Sequence, residues 1–258
     1  MNNEIKKIHK IVNLDGVNIS YSYQPKLKFG PNISIIFLSG YMSDMFGTKA
    51  NYLDKLSREI GFEYLRFDYS GHGMSQGKVE DQTLSSWIKQ ARFFINKKLN
   101  YPVIIIGSSL GGWISLVISK KPNKKVKGLI GIGVAPDFTE DILKNLTLQQ
   151  KRTYKKINYL SIKSTYSKDK YIFTKKFLKD SEKNFVLKKN INTFSYVTLL
   201  YGTLDTSVTI QKQIKTLELL RSKSAKLVIV QDSDHRMSSP KNLILIKSEV
   251  KNMIKDIL

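Results

Sequence analysis

At 258 residues, with 41% hydrophobic and 10% aromatic side chains, the chain can bury one enzyme-sized core and is excluded from the disordered class. A formal charge of +22 invites a nucleic-acid or anionic-membrane reading, but arginine occurs only at positions 58, 66, 92, 152, 221 and 236, so the excess is dispersed lysine; a solvated basic surface is expected, with no nucleic-acid partner. Cysteine is absent, which rules out disulfides and thiol chemistry, and His9, His72 and His235 form no zinc motif, so the expected chemistry uses neither metal nor cofactor.

The N-terminal stretch to Gly16 has no apolar h-region, and no apolar run later is long enough to span a bilayer. The cytoplasm, without stable membrane insertion, is the expected location. Ile5 to Val12 and Val17 to Tyr23 alternate around Asp15-Gly16, which predicts a β-hairpin. Ile33 to Leu38 is almost continuously apolar and reads as a strand buried on both faces. A helix over about Ala50 to Ile60, a strand Glu63 to Phe67, a Gly-rich loop Tyr69 to Gly77 and a helix around Leu84 to Lys98 follow. Next come strand Val103 to Ile106, a turn Gly107 to Gly112, a helix to about Ser119 and strand Val126 to Ile132.

Repeated β-α-β units with apolar strands predict an α/β fold, a mostly parallel sheet of eight strands covered by helices on both faces. Between Val134 and Asn192 the pattern breaks. Helical signals such as the capping box Thr147-Leu148-Gln149-Gln150 make this a helical lid insertion at about 137–193 in one domain spanning 1–258. Strand Tyr196 to Tyr201, a helix near Ile210 to Leu220, strand Lys226 to Val230 and a helix from about Asn242 complete the chain.

The strongest local signal is Gly107-Ser108-Ser109-Leu110-Gly111, a G-x-S-x-G between an apolar strand and a helix. Such a nucleophile elbow needs small residues two before and two after the serine, because the backbones pass closely there. Ser109 has both glycines and Ser108 does not. A serine needs a base, and His235, just past the last predicted strand, suits the order serine, acid, histidine; His72 reads as a loop-shaping residue and His9 as surface. The acid that orients the base should follow a strand, which favours Asp205 over its rival Asp137; Asp232 and Asp234 are too local to His235. The amides of Leu110 and Tyr41, with Met42 as a further possibility, are the candidate oxyanion donors.

These strings resemble the α/β-hydrolase superfamily over nearly the whole chain, and more narrowly its palmitoyl-protein thioesterase and acyl-glucuronide esterase branch. The resemblance is carried by Ser39-Gly40-Tyr41-Met42-Ser43 with Gly47-Thr48-Lys49-Ala50, by Arg66-Phe67-Asp68-Tyr69-Ser70-Gly71, by Gly107 to Trp113 and by Ser233-Asp234-His235-Arg236-Met237. It implies a cofactor-free serine esterase or thioesterase whose triad falls on Ser109, Asp205 and His235.

The expected substrate is a small molecule or an acylated protein, and the expected state a monomer or homodimer. Met42, Leu143, Leu146, Phe173 and Phe177 are candidate acyl contacts, the last four from the lid. Competing readings are a serine peptidase or carbon-carbon bond hydrolase on the same fold, or a non-catalytic basic binding protein.

Overall fold

The computed structural model describes residues 9–121, 123–163 and 170–258. Two strands, β1 (Lys10–Leu14) and β2 (Val17–Gln24), pair antiparallel around Asp15 and Gly16, both at positive φ. The first residues of the predicted hairpin, from Ile5 to Lys7 and on to Ile8, lie outside the described residues. Next are β3 (Ser34–Leu38), α1 (Thr48–Ile60), β4 (Glu63–Phe67), α2 (Leu84–Lys97), β5 (Val103–Ser108), α3 (Leu110–Ser119) and β6 (Val126–Ile132). Strands β3, β4 and β5 are buried at every position, which is why β3 and β5 run largely apolar instead of alternating, while β4 buries Glu63 and Arg66.

After β6 the chain leaves the sheet through α4 (Phe138–Lys144), α5 (Leu148–Ile157), an antiparallel hairpin of β7 (Tyr159–Lys163) and β8 (Lys170–Thr174), α6 (Lys175–Glu182) and the short β9 (Ile191–Asn192). It returns with β10 (Tyr196–Gly202), α7 (Ile210–Leu219), β11 (Leu220–Arg221), β12 (Ser224–Val230) and α8 (Pro240–Ile257). The expected helical excursion has its helices and, in addition, a hairpin that was not expected. Tyr159-Leu160-Ser161-Ile162-Lys163 alternates in burial as a half-covered strand does, a signal weaker than the helix caps around it. The capping box at Thr147 and Gln150 is formed as read.

The main sheet has eight strands in the order β1-β2-β4-β3-β5-β6-β10-β12, antiparallel at the β1, β2 edge and parallel from β4 onward. One face packs on α1 and α8 through residues such as Leu53, Leu56, Ile246 and Val250. The other packs on α2 and α3 through Trp87, Phe94, Trp113 and Leu116, and this core continues into the excursion at Phe173 and Phe177. No helix among the described residues is long and apolar enough to cross a membrane.

Strand β5 runs two residues further than its apolar run, and α3 starts at Leu110. The expected turn of Gly107 to Gly112 therefore narrows to Ser109 alone. All of the chain's reversal falls on that residue, which adopts φ 52° and ψ −112°, a conformation that costs an L-residue about 1–3 kcal/mol.

Candidate active site

The two elbow glycines are required by contact. A Cβ on Gly107 would stand 2.7 Å from the Gly111 carbonyl oxygen, and one on Gly111 would stand 2.0 Å from the Leu38 carbonyl oxygen. Helix α3 thus meets β5 at Gly107 and the end of β3 at Gly111, backbone to backbone, and Ser109 is pushed out at the carboxyl edge of the sheet, at the amino end of α3. Its amide donates to the Ile132 carbonyl at 2.9 Å and its carbonyl accepts from the Ala135 amide at 3.2 Å, which ties the elbow to the end of β6.

Between those two partners lies Gly133, and a Cβ there would be 3.0 Å from His235 Nδ1. The imidazole therefore packs over the turn to which the Ser109 backbone is bonded. His235 Nδ1 meets Asp205 Oδ2 at 2.7 Å, and the Asp205 side chain is fully enclosed. The other oxygen, Asp205 Oδ1, accepts the Ser207 and Val208 amides at 2.8 and 2.9 Å. One carboxylate oxygen is fixed by its own loop, which leaves the second aimed at the imidazole.

Asp137 is held elsewhere. Its carboxylate accepts the Val186 and Leu187 amides at 2.8–3.0 Å and anchors the return of the excursion to the start of α4; burial raises its pKa. Asp234 serves its loop, accepting the Met237 amide through Oδ1 at 2.9 Å. His72 is buried at 3% exposure in a box formed by Tyr41, Tyr69 and Trp87, and burial pushes its pKa down to about 4. His9 is half-buried just before β1, far along the chain from the elbow.

A cleft of about 640 Å³ contains both Ser109 and His235 on its wall. Gly40, Tyr41 and Met42 also line it, and a Cβ on Gly40 would sit 3.5 Å from Ser109 Cβ. Neither the Tyr41 nor the Leu110 amide donates to an acceptor among the described residues. Tyr41 is half-buried, its phenol donates to the Ile172 carbonyl of β8 at 2.6 Å, and burial raises its pKa.

Of the expected acyl contacts, Met42, Leu146 and Phe173 line the cleft, whereas Leu143 and Phe177 do not. On α4, Ile142 lines the cleft in the place expected of Leu143, because neighbouring helical residues point about 100° apart; both also pack against the core. Phe177 is 3% exposed, its ring set against Trp87 at 5.4 Å beneath the cleft. Sequence reading missed Ile162 and Tyr171 of the hairpin, and it quoted Lys49 without a role; all three line the cleft.

Residues 31–219 match the family described as serine aminopeptidase, S33. The chain belongs to this family of α/β-hydrolases. The palmitoyl-protein thioesterase ABHD10, mitochondrial, of Homo sapiens is 32% identical over 238 residues, which cover 92% of this chain and 76% of that protein. Alpha/beta hydrolase domain-containing protein 10 from mouse superposes with a TM-score of 0.88 at 26% identity, covering 97% of this chain and 99% of the other. A crystal structure from Agrobacterium vitis S4, described as a hydrolase, gives the same TM-score at 32% identity and covers 95% and 97% of the two chains. In this α/β-hydrolase the family match contains the elbow and Asp205, and ends before the loop that carries His235.

Proposed function

We propose that this α/β-hydrolase cleaves acyl thioesters and carboxylic esters through an acyl-enzyme on Ser109. His235 is the general base and acid, and Asp205 fixes its tautomer and offsets its charge. The observation that carries the reading is the 2.7 Å contact between His235 Nδ1 and Asp205 Oδ2 on the wall of the cleft where Ser109 is held at φ 52°. With Nδ1 committed to the carboxylate, Nε2 is the nitrogen left to take the Ser109 proton. Attack on the carbonyl forms a tetrahedral oxyanion, which the Tyr41 and Leu110 amides receive. His235 then protonates the leaving thiol or alcohol and activates water against the acyl-enzyme.

The cleft's charges favour esters over the peptide amino termini implied by the family description. Lys49, Lys163 and Arg236 line it, and Asp141, the only lining carboxylate among the described residues, is paired with Lys212 Nζ. A substrate α-ammonium would meet net positive charge there. The excursion wall of Phe138, Ile142, Leu146, Ile162 and Phe173 suits an apolar acyl group, so we assign the excursion as the lid over a medium to long chain. The thioesterase name of the curated relatives agrees with this, while their mitochondrial designation is theirs.

Labelling by a fluorophosphonate probe, beside Ser109→Ala and followed by a panel of acyl thioesters and esters of graded length, tests the proposal. Labelling lost in the alanine variant, with turnover of ester or thioester, is expected. An unlabelled wild type would defeat the mechanism, and turnover confined to acetyl substrates would defeat the long-chain assignment.

A further inference from the structure

The string Gly47-Thr48-Lys49-Ala50 contributes nothing to the serine, the histidine, the acid or the oxyanion donors, yet Lys49 stands on the cleft wall with Ser109 and His235. Its position is unfavourable in two respects. It is the second residue of α1, whose first turn carries no acidic side chain, and there the helix dipole opposes a cation. It is also half-buried, and desolvation pushes its pKa down to about 8 against the pull of the nearby Asp234. Among the described residues it has no carboxylate within ion-pair distance.

What it does touch is the loop that carries the histidine. Lys49 Nζ donates to the Arg236 carbonyl and, at 3.4 Å, to Ser238 Oγ, bridging 187 residues of sequence from α1 to the residue that follows His235. That loop holds an uncommon shape: Asp232 and Met237, one on each side of His235, both have positive φ (57° and 46°). It is pinned behind by Met237, fully buried in the α1, α8 core, and by Ser233 Oγ donating to Asn242 Oδ1 at 2.9 Å. Those anchors grip the loop from the core side. From the cleft side Lys49 grips the Arg236 carbonyl, which also accepts from Ser238 Oγ at 3.1 Å, one peptide away from the imidazole.

We propose that Lys49 is a positioning residue for His235: it fixes the Arg236 peptide and thereby keeps the imidazole in register between Asp205 and Ser109. This rests on the triad reading above. Loss of the lysine lets the peptide relax, and a displacement of the base on the scale of an ångström costs turnover far more than substrate affinity. A lysine acting as a cation for the substrate would behave in the opposite way, raising KM for anionic substrates with kcat retained.

The experiment compares wild type, Lys49→Met and Lys49→Arg on one neutral ester, with active sites counted by a fluorophosphonate so that unfolded molecules drop out. Per labelled site, Lys49→Met should lose about tenfold to a hundredfold in kcat with KM within about threefold. Lys49→Arg, which keeps a donor for the Arg236 carbonyl, should recover most of that loss. If Lys49→Met is not recovered folded, Lys49→Gln is judged by the same criteria. A kcat per labelled site equal to wild type in the methionine or glutamine variant overturns the inference while leaving the triad intact. So does a loss confined to KM, or failure of the arginine to rescue a folded, labelled enzyme. Absence of labelling in wild type strikes the triad itself and is thereby distinguished.

Discussion

The phenol of Tyr41 donates to the Ile172 carbonyl at 2.6 Å, joining the turn after β3 to the excursion hairpin across 131 residues of sequence. The same ring stacks on Phe173 at 4.9 Å and meets Tyr171 edge-on at 5.4 Å. The residue whose amide is the proposed oxyanion donor is therefore also the residue on which the hairpin rests. A shift of the hairpin would be felt at the amide.

Tyr41→Phe keeps the ring contacts and removes one partly buried hydrogen bond. The Ile172 carbonyl is left without its donor, so stability should fall by about 1 kcal/mol. Hydrogen exchange at residues 170–174 should accelerate while exchange in β5 and β6 stays fixed. Unchanged exchange at the hairpin would show that stacking alone holds it.

Asp137 and Asp205 both follow strands of the sheet, and only Asp205 reaches His235. Asp205→Asn should lower kcat by roughly 10³–10⁴-fold, because the amide supports the wrong tautomer. Asp137→Asn should leave kcat per active site within about threefold and instead cost about 2 kcal/mol of stability, as two buried amides lose part of a shared acceptor. Steady-state kinetics beside urea unfolding separates the two, and the reverse pattern would reassign the acid.

The elbow stores backbone strain at Ser109, the proposed nucleophile. Ser109→Gly relieves φ 52°, and the variant should be more stable than Ser109→Ala by about 1 kcal/mol, both being inactive. Equal urea midpoints for the glycine and alanine variants would mean the turn is unstrained.

Acid should act through His72. Its folded pKa of about 4 lies below the unfolded value of 6.5, so the neutral ring contributes stability that is complete above about pH 6.5 and lost as pH falls through 4. The size is on the order of 3 kcal/mol. Asp68 works against it: burial lifts its pKa to about 6, so its contribution is complete below 3.8 and lost as pH rises through 6. Unfolding free energies measured from pH 7.5 to 4 should fall more steeply for wild type than for His72→Phe. Parallel curves would remove His72 from the account.

Much of this molecule was legible in its residues taken one stretch at a time. Strands β4 and β6 fall on the predicted bounds, Glu63 to Phe67 and Val126 to Ile132; β4 does so even though Glu63 and Arg66 are buried within it, each hydrogen-bonded. The sharp turn at Ser109 was legible because the close approach of α3 to β5 and to the end of β3 leaves no alternative to glycine at 107 and 111. The hairpin of β7 and β8 was not, since a half-buried strand of five residues carries little periodic signal.

The residues alone carried the main sheet, most of the element order and the turn at Ser109, which depend on local periodicity and on steric demands at that turn. Only the tertiary structure decided that Asp205 and not Asp137 meets His235, that Ile142 and not Leu143 faces the cleft, and that Lys49 grips the Arg236 peptide. Each of those outcomes depends on the direction of a side chain after segments far apart in sequence have packed, and spacing along the chain carries no record of that direction.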